Sequence, residues 1–141
     1  MARIISIDFG LKRTGLAVTD PMQIIASGLE TVETKKLIPY LKEYMAKEEV
    51  EAIVLGHPRK LNTEDTHTTQ PVLKLEKELN KIFPDKPVHL IDERFTSKMA
   101  LDAMIASGSK KKDRRNKGNI DKVSAVIILQ SYLEQKGNSL F

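Results

Sequence analysis

The chain has 141 residues, 40% of them hydrophobic and 30% charged. That length and balance suit one compact α/β or α+β domain whose core needs no metal or disulfide staple. There is no cysteine, which excludes disulfides, thiolate zinc sites and cysteine nucleophiles and fits a reducing compartment. The formal charge is +4 and the longest uncharged apolar stretch, Val123 to Leu133, is short of the ~18 residues of a membrane span. A soluble, unprocessed, cytoplasmic protein with no membrane partner is expected.

Ala2 to Asp8, with Ile4, Ile5 and Ile7, is nearly continuous in β-branched residues and predicts a buried first strand. A turn through Phe9, Gly10, Leu11, Lys12 and Arg13 leads to a second strand, Thr14 to Thr19, closed by Asp20-Pro21; Gly10 and Gly15 permit tight backbone geometry there. A third run spans Ile24 to Val32. The short links favour an antiparallel meander, because parallel neighbours need a crossover of a dozen or more residues.

Helix and strand then alternate. Leu37, Ile38, Leu41, Tyr44 and Met45 recur at helical spacing, with Pro39 expected to delay the helix start. Glu51 to Gly56 is a short buried strand. A second amphipathic helix runs from about Thr68, with Pro71 in its first turns and Val72, Leu75, Leu79 and Ile82 on one face, and ends before Pro84. Val88 to Ile91 is the fifth strand, and Thr96 or Ser97 can cap a helix with Leu101, Met104 and Ile105 that stops near Gly108. A basic loop over about 108–118 precedes a last helix from about Ile120 to Gln135, with Asn119 as N-cap and Gly137 as its stop.

Three meander strands followed by α-β-α-β-α predict a single α/β domain over 1–141. Its sheet has five strands and is mixed: strands one, four and five are parallel, strands two and three extend the other side, and helices cover it. This is the ribonuclease H-like arrangement.

Ligands gather outside the carboxyl ends of parallel strands in such sheets. Those ends carry Asp8, then Gly56-His57-Pro58, then Asp92-Glu93. Taken singly, Asp8 suits a turn before glycine, Asp92 or Glu93 a loop acid or a partner for Arg94, and Asp121 a helix-dipole partner. Asp121 nevertheless heads a stripe with Ala125, Ile128 and Tyr132 that is expected to face the sheet, where an unpaired charge is costly. Three converging carboxylates repel one another unless divalent cations neutralise them. Oxygen donors favour Mg²⁺ or Mn²⁺. Two such ions ~3.5–4 Å apart can activate a water, hold a phosphodiester and stabilise the departing oxygen.

Lys110, Lys111, Lys112, Arg114, Arg115 and Lys117 against the single acid Asp113 concentrate a charge of +5 in one segment, leaving -1 for the rest of the chain. Such a run suits nucleic-acid phosphates through counterion release, although short basic runs are as often solvated surface. His57 reads more simply as a local hydrogen-bonder than as a general base, and His67 and His89 lack metal-site spacing.

Together these motifs resemble the YqgF family, whose members are described as Holliday junction resolvases and as pre-16S ribosomal RNA nucleases. The resemblance covers almost the whole chain in four ordered blocks. They are Ile7-Asp8-Phe9-Gly10 with Gly15 and Ala17-Val18, then Gly56-His57-Pro58, then Asp92-Glu93-Arg94 with Thr96, Ser97 and Ala100, and finally Asn116-Lys117-Gly118-Asn119-Ile120-Asp121 leading into Ser124-Ala125. The resemblance implies a ribonuclease H-like, two-metal nuclease whose acidic triad is Asp8, Glu93 and Asp121. Asp92 is then an auxiliary acid, and Arg94 either contacts the scissile phosphate or buffers the acids. It further implies 5′-end maturation of precursor 16S ribosomal RNA as the first role, with ribosomal particles as partners and a monomer or weak homodimer as the acting form. Branched DNA is the second substrate.

The chain departs from the family pattern at Arg59-Lys60-Leu61-Asn62-Thr63-Glu64-Asp65, where relatives often have an apolar start and a glycine, and at Lys122, where they often carry a small residue. Adjacent helical side chains point ~100° apart, so Lys122 is expected to face solvent or substrate. Two other classes compete. Asp8-Phe9-Gly10 also looks like the first phosphate motif of actin-like and sugar-kinase ATPases, which pair two copies of a core that this chain has room for once. A non-catalytic nucleic-acid or ribosome-binding module keeps the fold without the chemistry.

Overall fold

The computed structural model describes residues 2–57, 69–92 and 117–136. Strands β1 (Arg3–Asp8), β2 (Arg13–Thr19), β3 (Ala26–Glu33), β4 (Val50–His57) and β5 (Val88–Asp92) form one sheet in the order β3-β2-β1-β4-β5. β2 is antiparallel to both β1 and β3, while β4 is parallel to both β1 and β5. This is the mixed sheet expected from the short meander links and the later crossovers. Helices α1 (Leu37–Lys47), α2 (Thr69–Ile82) and α3 (Lys117–Lys136) pack on it. The helix predicted after Thr96 lies outside the described residues, as does the basic run from Lys110 to Arg115.

Strand alternation divides the core in two. Ile5 and Ile7 of β1 are fully buried with Leu37 and Leu41 of α1 and with Val72, Leu75 and Leu79 of α2. Ile4, on the other face, is buried with Ala125, Ile128 and Leu129 of α3. The helical spacings read from the sequence thus mark the buried stripes. α3 lies across the strands: Lys122 meets β3 at Gly28, Ala125 sits over Ser6 of β1, and the Tyr132 ring is 5.1 Å from that of His89 in β5. Small residues permit this close crossing, since Gly28 pairs with Ala17 on that face. Between Leu16 and Ala17 the register shifts, leaving Leu29 as an extra residue that turns into the opposite core.

Two local expectations are corrected and a third is refined. Pro39 does not delay α1, which starts at Leu37 after a 3-10 turn at Thr34–Lys36. A proline in the first helical turn gives up an N–H that has no intrahelical partner in any case. α3 begins at Lys117 rather than Ile120, so Asn119 is inside the helix and the end of the predicted loop is helical. Packing of the buried stripe outweighs the weak local preference of Gly118 and Asn119 for a break. The Lys122 stem lies against β3, its Cβ and Cδ within 3.5 and 3.9 Å of where a Cβ on Gly28 would stand, while the residue stays partly exposed. Among the described residues no helix is long and apolar enough to cross a membrane.

β3 starts at Ala26, two residues later than expected, because the Asp20 carboxylate holds Ile24 and Ile25 in the turn. It accepts hydrogen bonds from the backbone N–H groups of Ile25 (2.7 Å), Ile24 (2.8 Å) and Met22 (3.1 Å). The bond from Ile25 is the main reason its pKa falls below the ordinary 3.8. A depressed carboxyl contributes stability that is complete above its unfolded-state pKa and is lost as the pH falls through the folded value. Asp20→Ala should therefore cost ~1 kcal/mol at neutral pH. Urea midpoints measured from pH 7 down to 2 should converge with those of the parent at the acid end.

Candidate active site

β1 delivers Asp8 to the carboxyl edge of the sheet. Its neighbours in sequence, Ile7 and Phe9, pack into the α1/α2 core, so alternation places Asp8 on the α3 face, half-buried and in line with Ile4 and Ser6. Ser6 donates from Oγ to the Ala125 carbonyl at 2.6 Å, with both residues buried. That bond ties α3 to β1 two residues before Asp8 and one helical turn after Asp121. Ala125, Ile128 and Tyr132 are all buried, so the backbone position of Asp121 heads the stripe that the spacing predicted. Ser6→Ala should lower stability by ~1 kcal/mol at unchanged denaturant slope.

β4 and β5 end beside this point. Leu55 of β4 pairs with Ile7, Gly56 pairs with Ile91, and His57 pairs with Asp92. Ile91 belongs to the α3-side core while Val88 packs with α1 and α2. The Asp92 position has the parity of Val88, opposite to that of Ile91. Glu93, Arg94, Lys110, Lys111, Lys112, Arg114 and Arg115 lie outside the described residues, whereas Lys117 opens α3. Among the described residues no group of three or more His, Cys, Asp or Glu is placed to hold a metal ion. The acids at these element ends supply oxygen donors only, which suits a hard divalent cation.

The turn after Asp8 is braced by a residue that sequence reading passed over. Thr34 donates from Oγ1 to the Gly10 carbonyl at 2.5 Å, shares a 2.9 Å hydrogen bond with the Thr14 hydroxyl, and donates its backbone N–H to the Lys12 carbonyl at 3.0 Å. A Cβ on Gly10 would run into the Arg13 carbonyl oxygen, so the tight geometry expected of this glycine is a steric requirement. Thr34 is 24 residues from Gly10; only the β2–β3 register, which pairs Thr14 with Val32, reveals the brace.

The model of one protein family, described as Holliday junction resolvase, matches residues 2–135. The chain belongs to this RuvX family. Among its relatives, one from Phocaeicola vulgatus is 51% identical over 96% of this chain and 98% of its own length, and one from Flavobacterium johnsoniae is 53% identical over 96% and 99%. Both carry the provisional name pre-16S rRNA nuclease. Of the solved structures, RuvC of Thermus thermophilus in complex with a Holliday junction aligns at a TM-score of 0.56 and 17% identity, covering 98% of each chain. RuvC in a second Thermus thermophilus structure aligns at 0.53 and 15%, covering 96% of this chain and 97% of its own. This likeness to RuvC shows the fold, and the ribonuclease H-like expectation holds.

Proposed function

We propose that this protein is a metal-dependent nuclease that hydrolyses phosphodiester bonds, acting in the cytoplasm on the 5′ end of precursor 16S ribosomal RNA. The observation that carries the reading is the Ser6–Ala125 bond, which fixes Asp8 of the central strand against the helix bearing Asp121. The names of relatives about 50% identical over nearly the whole chain support the RNA substrate. The family description supports branched DNA as the second reading.

Asp8, Glu93 and Asp121 are the proposed ligand set, with Asp92 auxiliary. Bound Mg²⁺ or Mn²⁺, as a pair, would supply an activated water and charge stabilisation at the leaving oxygen. The chain's own contribution is positional. β1 and α3 hold the backbone positions of Asp8 and Asp121 relative to each other, and the Thr34 brace fixes the turn after Asp8. Arg94 and the cations from Lys110 to Lys117 hold the substrate backbone.

The deciding experiment offers the protein a labelled precursor rRNA 5′ segment and a four-way DNA junction, each with Mg²⁺ or Mn²⁺. Metal-dependent cutting of the RNA alone supports the first reading, and cutting of the junction alone moves the assignment to the second. If neither is cut while binding remains, the same assay on precursor ribosomal particles decides: cutting there keeps the nuclease, and its absence leaves a binding module.

A further inference from the structure

A second cationic surface lies next to Asp8, in the turn and strand ends that the Thr34 brace organises. Leu11, Lys12, Arg13, Glu33 and Lys35 line an open depression of about 560 Å³. Arg13 opens β2 opposite Glu33 at the end of β3, and the bond from the Thr34 N–H to the Lys12 carbonyl brings the Lys12 backbone to the start of the 3-10 turn that carries Lys35 and Lys36. Lys12, Arg13, Lys35 and Lys36 are therefore gathered about Glu33. Lys35 and Lys36 reach Glu33 at 3.5 and 4.0 Å with side chains 79% and 68% exposed, and ion pairs that open hold their charges only loosely. Leu11, 55% exposed at the turn, adds an apolar surface among the cations.

We infer that this depression is a phosphodiester-backbone contact of the substrate strand, separate from the basic run at Lys110 to Lys117, with Lys12 and Lys35 as its principal cations. Charge alone attracts phosphates without fixing a register. A surface built on a hydrogen-bonded hairpin does fix one, because backbone contacts position a nucleic acid while carrying little sequence information. Asp8 pairs with Gly15 across this hairpin, so a strand held at Lys12 is held at a set distance from Asp8. The inference deepens the nuclease reading and names the surface that would set where along the strand the cut falls.

The test measures the binding of a fluorescein-labelled four-way DNA junction, and in parallel of the precursor rRNA segment, by anisotropy in EDTA across a KCl series. Each neutralised phosphate contributes ~0.9 to the slope of log K against log salt on duplex DNA. Lys12→Ala with Lys35→Ala should make the junction slope shallower by about 1.8. A matched pair of exposed lysines at the far ends of α1 and α2, Lys47→Ala with Lys81→Ala, should leave it unchanged. Lys12→Arg with Lys35→Arg, which keeps both charges, should retain the parent slope, and thermal melts of all variants check folding. An unchanged slope in the first pair overturns the inference, as does an equal loss in the far pair or an absence of binding by the parent. If the slope falls as stated but the parent cuts neither substrate nor the precursor particles with metal present, the contact stands and the nuclease reading falls. Cutting with an unaltered slope gives the reverse.

Discussion

Replacing Asp8 by Asn should reduce metal-dependent cleavage by about a thousandfold or more while leaving the protein folded. A metal's charge stabilisation is worth several kcal/mol in the transition state, and ~1.4 kcal/mol corresponds to a factor of ten in rate. Asn keeps the size of Asp and one of its oxygens but removes the charge that neutralises a divalent cation. Asp8 is only half-buried at a strand end, so the exchange leaves no cavity. Two measurements separate the roles. Single-turnover cleavage over a Mg²⁺ or Mn²⁺ titration reads the chemistry, and the melting temperature with and without metal reads the site, because a ligand that binds only the folded state stabilises it. The parent should gain stability from metal and Asp8→Asn should lose most of that gain. Cleavage near the parent rate in this variant would remove Asp8 from the triad.

What the sequence conveyed about this site followed from which physical signals are local. The run of Ile4, Ile5 and Ile7 ending in Asp8 is a local pattern, and β1 ends at Asp8 as expected. The spacing from Asp121 through Ala125, Ile128 and Tyr132 is equally local, and the last three are buried against the sheet. Signals that depend on pairing were not legible. The register shift that ejects Leu29 from alternation has no mark in the sequence of β3, and neither does the approach of Lys122 to Gly28, which depends on how α3 crosses the strands. Pro39 misled for another reason: its effect on a helix changes sign within one turn, and its position in that turn was set by the 3-10 segment before it. The end of β1 at Asp8 could be read because strand ends can be read. The brace on the turn after Asp8 could not, because Thr34 meets Gly10 only once three strands are in register.

That brace makes Gly10→Ala the second substitution with a large expected effect. The added Cβ would meet the Arg13 carbonyl oxygen, a backbone atom with no rotamer to escape into, so the turn itself must shift. The shift is resisted from both sides, since the Gly10 carbonyl accepts from the Thr34 hydroxyl and the Lys12 carbonyl accepts from the Thr34 N–H. Overpacking of this kind costs ~1–3 kcal/mol. Asp8 lies two residues before Gly10 and Lys12 two after it, so any relaxation reaches the proposed catalytic carboxylate and the proposed backbone contact together. A displacement of ~1 Å at a catalytic group is enough for a loss of about a hundredfold in rate. Urea denaturation and single-turnover cleavage on the same preparation should therefore show both losses. Thr34→Val gives the comparison: it removes the hydroxyl but adds no clash, so it should cost ~1 kcal/mol and a smaller share of the rate. If Gly10→Ala loses stability but cleaves like the parent, the turn relaxes away from Asp8 and the brace serves the fold alone. If cleavage falls further than it does in Thr34→Val, the absence of a side chain at residue 10 is what keeps the carboxylate in place.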